Sequence, residues 1–394
     1  MSDVVLVLNA GSSSIKFAVY PSGANAVPLI RGKVAGVGRD PVFPAIRADG
    51  TAIDMSMLTN IDVAADHETL VSLLLDWLEQ HRGDRRLVAV GHRVVHGGRG
   101  FSRPVVVDDA VLSQLEHLIQ LAPLHQPHNL AAIRAISRLQ PTLPKVACFD
   151  TSFHRTQDRL AQLFALPRDM SDEGILRYGF HGLSYECIAS ILPDHLGERA
   201  EGRVIVAHLG NGASMCAMKN RQSVATSMGF TALDGLLMGR RCGALDAGVV
   251  LYLMQSKGMN ATEIETLLYR RSGLLGVSAI SNNMRDLEQS DDPRAREAIE
   301  LFCFRAASVL GGLVTALGGL DAIVFTAGIG ENSAQVRRLI CDRLVHLGVD
   351  LDPRCNDGNS LRISSVRSSV DVLVLPTDEE AVIANATNET VALR

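Results

Sequence analysis

The stretch VVLVLNAGSSSIKFAVY, Val4 to Tyr20, decides the fold. Val4–Leu8 is branched and apolar, as a buried strand is, and Ile15–Tyr20 is strand-like again. Between them Asn9, Gly11 and Ser12–Ser14 form a hairpin turn with more polarity than chain closure needs, and the surplus points to a ligand. RVIVAHLGNGASMCAMK, Arg203 to Lys219, repeats the order of apolar strand, glycine-rich polar turn and second strand. A β-turn-β unit built near residue 10 and again near residue 210 predicts two related domains, although two unrelated hairpins would read alike.

Around these units the chain alternates strands and helices, which makes it α/β. The predicted buried strands are Val88–Val95, Val146–Phe149, Val204–Ala207, Ala322–Thr326 and Val372–Leu375. Helical spacing runs through Leu70–Gln80, Val111–Gln120, Asn129–Leu139, Tyr185–Ile191, Arg294–Leu317 and Ala334–Leu347. The 394 residues exceed what one core usually holds, so two domains meeting near Asp150 are expected. Charged residues make up 21% and hydrophobic ones 47%, a composition that excludes disorder. A net charge of -5 gives no general attraction to nucleic acid or an anionic membrane, so any anion must be held by local groups. Seven cysteines scattered without a CxxC pair fit reduced thiols in the cytoplasm. The Met-Ser-Asp start lacks the basic residues of a signal peptide, and Ala306–Leu320 reads as a buried helix end, too short for a membrane span.

Glycine-rich turns between strands aim backbone N–H groups into one concavity where phosphate oxygens find donors, and Lys16 adds a point charge to the first turn. This is not a Walker A loop, because GxxxxGK[ST] is absent and no helix follows. IVFTAGIGENS, Ile323 to Ser333, predicts a strand, a glycine loop, then a helix from Ala334 whose amino terminus faces an anion or nucleotide. Each loop alone is an ordinary tight turn; three in one chain favour a nucleotide site. GHRVVHGG places Arg93 at a strand end, and MGRRCG places Arg240 and Arg241 among glycines, where a guanidinium grips a carboxylate or phosphate, or else pairs with an acid. CFDTSFH ends a strand in Asp150, a metal or phosphate positioner, a base or a cap. RYGFHGLSY presents His181 between glycines, aimed at a developing phosphoryl charge or packed. His92, His96, His125, His128 and His154 assemble on paper into a zinc site. They lack the HExxH glutamate, and packing is the preferred reading.

Ten motifs, NAGSSSIKF, GHRVVHGG, APLHQPHN, FDTSFH, RYGFHG, HLGNGAS, TSMGFT, SGLLG, FTAGIGENS and PTDEE, resemble in order and spacing the acetate kinases, within the superfamily of acetate and sugar kinases, heat-shock ATPases and actin. The resemblance runs from about Val4 to Ala384. It implies a duplicated actin-like (ribonuclease H-like) two-domain fold, nucleotide between the domains, in a homodimer. Residues 1–150, joined by 380–394, would form one domain and 151–379 the other. It further implies magnesium or manganese associated with Asn9 and Glu379, and a phosphate hairpin carrying Ser14 and Lys16. His208, Leu209, Gly210, Asn211 and Gly212 would form a second phosphate loop. Asn283, Met284 and Arg285, with Gly328, Ile329, Gly330, Glu331 and Asn332, would hold the adenosine of ATP or ADP. Arg93 and Arg241 would grip the carboxylate and the phosphoryl group, with His181 and Asp150 completing the catalytic set. Val95, Leu124 and Phe180 would wall the methyl pocket.

Three departures from the family pattern stand out. Asn283 replaces an aspartate and removes a charge near the ribose; Ala232 replaces a proline and leaves room for propionate; GRRCGALDAG has Arg240 and Ala247 where threonine and proline are usual, so the Arg241 loop is held differently. The implied reaction moves the γ-phosphoryl group of ATP to acetate in line, giving acetyl phosphate. The acceptor is already ionised at neutral pH and needs no base. A propionate or other short-chain acyl kinase is the nearest alternative, and a non-catalytic nucleotide-binding protein of actin or heat-shock type the alternative of another class.

Overall fold

A hairpin whose strands are apolar on both faces has to be covered on both faces, and the chain supplies the cover twice. In the computed structural model, which describes residues 3–11, 14–23, 27–35, 43–53, 65–123 and 125–393, the described residues fall into two units. They are Met1–Phe153 with Asp378–Arg394, and His154–Thr377. Ser12, Ser13 and Leu124 lie outside the described residues.

In the first unit the strands are β1 (Val4–Ala10), β2 (Ser14–Pro21), β3 (Ile30–Ala35), β4 (Ala45–Arg47), β5 (Leu87–Val94), β6 (Val105–Val106) and β7 (Lys145–Phe149). They lie in the order β4-β3-β2-β1-β5-β7-β6. β1 pairs antiparallel with β2, Asn9 opposite Lys16, while β1, β5 and β7 run parallel. The second unit contains β8 (Val204–Leu209), β9 (Ala213–Lys219), β10 (Gln222–Thr226), β11 (Ala322–Thr326) and β12 (Asp371–Val374), in the order β10-β9-β8-β11-β12. β8 to β10 are antiparallel, and β8, β11 and β12 are parallel. The β3-β2-β1-β5-β7 arrangement of the first sheet thus recurs whole in the second: this is a duplicated actin-like α/β fold.

Side-chain alternation sorts the first sheet into two faces. Leu6, Leu8, Ile15, Phe17, Val19 and Val90 join one core with Leu74 and Trp77 of the helix His67–His81 and Ile136 of the helix Gln126–Leu139. Trp77 is wholly buried and meets Phe17 edge-on at 5.7 Å. The opposite face packs against the helix Glu379–Ala392, the last of the chain. Asn9, Lys16 and Arg93 have the parity of this second face, and Asp150 follows Phe149 onto it. Asn9, Arg93 and Asp150 stand at the carboxyl ends of β1, β5 and β7, where open α/β sheets bind ligands, and Lys16 lies opposite Asn9 on β2.

Two expected elements differ. The segment Ala334–Leu347 is helical only to Cys341, after which Leu344 N bonds Cys341 O and the chain tightens into a 3-10 turn at Val345–Leu347. Instead of a glycine loop, Ala327–Asn332 forms a short helix of its own, because the Glu331 carboxylate accepts from Ala327 N at 2.8 Å and closes the first turn. The apolar run before Leu320 ends the helix Pro293–Leu317, whose length and mean hydropathy of 1.5 would suffice to cross a membrane. It packs against β8, β9 and β10, and buries Phe302, Ala306, Leu310 and Leu317.

Candidate active site

In the first unit the candidate residues converge on one guanidinium. Arg93 donates through Nε to Asp150 Oδ1 at 3.1 Å, through Nη2 to Asp150 Oδ2 at 2.5 Å, and through Nη1 to Asn9 Oδ1 at 3.3 Å. This fork-to-fork pairing is the most directional contact an arginine makes. Three of its five N–H groups are used among the described residues, which leaves two for an incoming carboxylate or phosphoryl oxygen. Asp150 is 1% exposed, and both its carboxylate oxygens are turned onto Arg93. Burial alone would lower the Arg93 pKa; the carboxylates of Asp150, Glu379 and Glu380 outweigh it and hold the group fully cationic.

Glu379 opens the last helix beside this pair. Asp378, the cap, accepts from Ala381 N at 3.0 Å, receives the Tyr20 hydroxyl at 3.3 Å and pairs with Arg31, which fixes where Glu379 stands. Burial raises the Glu379 pKa, Glu380 and Asp378 add to the rise, and Arg93 and Lys16 oppose it. A half-buried carboxylate under such strain takes up a cation readily. Asn9 Oδ1 and the Glu379 carboxylate are hard oxygen donors of the kind magnesium accepts together with phosphate oxygens and water. Among the described residues no group of three His, Cys, Asp or Glu side chains gathers to make an all-protein metal cage. Lys16 lies exposed on β2 opposite Lys33, and Ser14 opens the same strand. Val95 is buried just after β5, its N–H donating to Asn129 Oδ1 at 3.0 Å.

The second unit gathers its own set at the β8–β9 turn. Gly210 N bonds Gly212 O at 3.1 Å. A Cβ placed on Gly212 would lie 2.7 Å from Arg241 Nη2 and 3.4 Å from His181 Nε2, and one on Gly210 would lie 4.0 Å from His208 Nε2. A guanidinium tip and two ring nitrogens therefore surround a turn that has no side chain of its own. The two imidazoles stack at 4.3 Å between centroids. His181 Nδ1 meets Ser214 Oγ at 2.8 Å, which also bonds the Tyr185 hydroxyl, and His208 Nδ1 meets Ser184 Oγ at 2.8 Å. Arg241 donates through Nη1 to the backbone carbonyl of Ala232 at 2.6 Å. Arg240 donates through Nη2 to Asn282 Oδ1 at 3.4 Å.

Beside the turn lies a cavity of about 750 Å³ lined by Gly210, Asn211, Asn283, Met284, Arg285, Glu288, Gln289, Gly328, Ile329, Asn332 and Ser333. Its size suits a nucleoside with phosphates. Six of the eight residues expected around adenosine line it, together with Gly210 and Asn211 of the expected phosphate loop, and others do not. Gly330 is buried beneath, His208 and Leu209 end β8, Gly212 belongs to the turn, and Glu331 turns its carboxylate back onto Ala327 N. Asn283 commits its Oδ1 to Arg285 N at 3.1 Å as the cap of the helix Met284–Glu288. Glu288 and Gln289 were missed; one helical turn counted forward from Met284 reaches Glu288. Ser214 and Tyr185 were missed too, and only the pairing of Ser214 with His208 across β8 and β9 would have pointed to the first. Phe180 is buried in this unit, whereas Val95 belongs to the first.

His92 and His96 are buried around β5, His128 stacks on His67, and His154 sits in the second unit.

A twice-built actin-like fold, a nucleoside-sized cavity and an adjoining turn faced by a guanidinium and two imidazoles define a phosphotransferase. The acetokinase family model matches residues 4–385, and the chain belongs to that family. It is 54% identical to the acetate kinase of Rhodopseudomonas palustris over 98% of this chain and 97% of that one. Among solved structures, a propionate kinase from Francisella tularensis has a TM-score of 0.90 at 35% identity and covers 98% of this chain and 99% of its own. The acetate kinase of Porphyromonas gingivalis has a TM-score of 0.89 at 35% identity, with 99% and 100% covered.

Proposed function

We propose that this chain transfers the γ-phosphoryl group of ATP reversibly to acetate, forming acetyl phosphate and ADP. A carboxylate oxygen of the acceptor attacks phosphorus as the bond to the ADP oxygen breaks, and no proton moves. The observation that carries the reading is the convergence of Arg241 Nη2 and His181 Nε2 at Gly212, next to the nucleoside cavity. Arg241 and His181 neutralise the equatorial oxygens, and the Gly210–Gly212 turn lets the phosphates approach the backbone. Arg93, held by Asp150, grips the acceptor with its remaining N–H groups. With two anions to bring together, cationic positioning is the main catalytic contribution.

Asn9 and Glu379 would hold magnesium, or manganese in its place, which would supply charge neutralisation for the nucleotide phosphates. The helix Ala247–Gln255 supports a homodimer: it has no buried residue, and Leu251, Tyr252 and Met254 are 54%, 52% and 47% exposed. Seven thiols, with no disulfide among the described residues, support a cytoplasmic setting. Hydroxamate trapping of acyl phosphate with acetate, propionate and butyrate, each with and without ATP and magnesium, tests the proposal. ATP- and magnesium-dependent trapping with acetate first in the series is expected, and propionate ahead of acetate would reassign the acceptor. No acyl phosphate with any acid would sink the reading.

A further inference from the structure

Behind His181 stands a second imidazole with no part in the chemistry above. His154 is fully buried, and its hydrogen bonds close into one assignment. Ser223 Oγ accepts from Gln157 Nε2 at 2.9 Å and from the Cys216 thiol at 3.3 Å. The Ser223 proton therefore goes to His154 Nδ1 at 2.9 Å. That leaves the His154 proton on Nε2, where it donates to the carbonyl of Phe180 at 3.0 Å.

Phe180 O belongs to the peptide plane that leads into His181. His181 has φ 58° and ψ 25°, the left-handed region, which is strained for a residue with a Cβ. Such a conformation persists only where the surroundings dictate it. Neighbouring Gly179 shows how closely the ring is applied: a Cβ there would sit 2.5 Å from His154 Cδ2. The Phe180–His181 plane is thus tied by a buried donor whose ring also packs tightly against Gly179, just before it.

We propose that His154 is a positioning residue for His181: by donating to Phe180 O it fixes the left-handed backbone that aims the His181 ring at the Gly210–Gly212 turn. The inference rests on the reading that His181 faces the transferred phosphoryl group. It assigns His154 no contact with substrate.

Two isosteric halves of the imidazole separate its two bonds. In His154→Asn the amide takes the place of Nδ1, keeping Ser223 and losing Phe180. In His154→Gln the amide nitrogen takes the place of Nε2, keeping Phe180 and losing Ser223. Both are compared in the full chain, alone and combined with His181→Ala, by steady-state kinetics and thermal unfolding. The expected result is a fall in kcat of about 10- to 100-fold for His154→Asn, as for a misaligned catalytic group. His154→Gln should stay within about threefold of the parent, with KM for ATP little changed in both. In the His181→Ala background His154→Asn should add no further loss. Equal kcat values for Asn and Gln, or losses that multiply in the double variant, would overturn the inference. A fully active His181→Ala would instead defeat the reading of His181 on which it rests. If His154→Asn does not fold, Ser223→Ala serves: it releases the tautomer, and its expected severalfold loss of kcat must likewise vanish when His181 is absent.

Discussion

Replacing Asp150 by Asn separates an orienting carboxylate from a chemical one. The amide retains a single acceptor for Arg93 and turns an NH2 group toward the other N–H, so one of two charge-assisted bonds becomes a donor–donor clash. Losing a hydrogen bond to a charged group costs about 1.5 to 3 kcal/mol, and breaking a buried pair from one side about 3 to 5. Because the Arg93 side chain is 20% exposed and can recover some hydration, about 2 to 4 kcal/mol is expected here. Thermal unfolding should move down by about 2 to 4 °C for each kcal/mol. In acyl hydroxamate assays the KM for the carboxylate should rise and kcat/KM fall about 10- to 100-fold, equivalent to about 1.4 to 2.8 kcal/mol. Unchanged stability and acceptor KM with a collapsed kcat would refute the reasoning, because Asp150 would then act on the reacting atoms and not through Arg93.

Glu379→Gln should trade activity for stability. The Glu379 pKa is raised above its ordinary 4.5, so the native state holds its proton longer than the unfolded chain, and this residue lowers stability progressively as pH rises through that interval. The variant should melt higher than the parent at pH 8, match it below pH 4.5, and need far more magnesium for turnover; equal melting at pH 8 would contradict the account. Gly212→Ala places a methyl group against the mobile tip of Arg241, and kcat should drop at least tenfold with little change in unfolding; a normal kcat would remove Arg241 from the turn. Burial pulls the pKa of His154 from 6.5 to about 4 and that of His92 to about 3. Both stabilise the fold when neutral, and that contribution is lost as pH falls below 6.5, with denaturant-derived stability declining toward about 2.7 kcal/mol per pH unit, the limit for two protons. A slope below that of one proton between pH 6 and 5 would show that at least one of them protonates in the native state. Leu251→Asp with Tyr252→Asp should sediment as a folded monomer; an unchanged mass would place any dimer contact elsewhere.

Much of the first unit's set was legible because it is written in period two. Once Leu6, Leu8, Phe17 and Val90 are core, Asn9, Lys16 and Arg93 must face the other way, and each sits beside its motif glycines. The duplicated hairpin likewise announced the second sheet. What stayed hidden depends on distant partners. Glu331 sits in a binding motif yet caps its own helix, because Ala327 N is the nearest unsatisfied donor. Ser214 and Tyr185 support His181 through bonds spanning tens of residues, and no local pattern encodes them. His154 read as packing for the same reason, since its role lies in a carbonyl 26 positions away.

The helix Glu379–Ala392 completes the first sheet from the far end of the chain, with the whole of the second unit intervening. During synthesis the second unit is an uninterrupted segment that can collapse as it leaves the ribosome, whereas the first must wait with one sheet face uncovered. The newborn chain would therefore own a nucleoside pocket before it owns a finished grip on the carboxylate. Coupling of the two substrates is postponed until Ala392 has been made, and a nonsense codon before residue 378 would leave that exposed sheet for chaperones to manage.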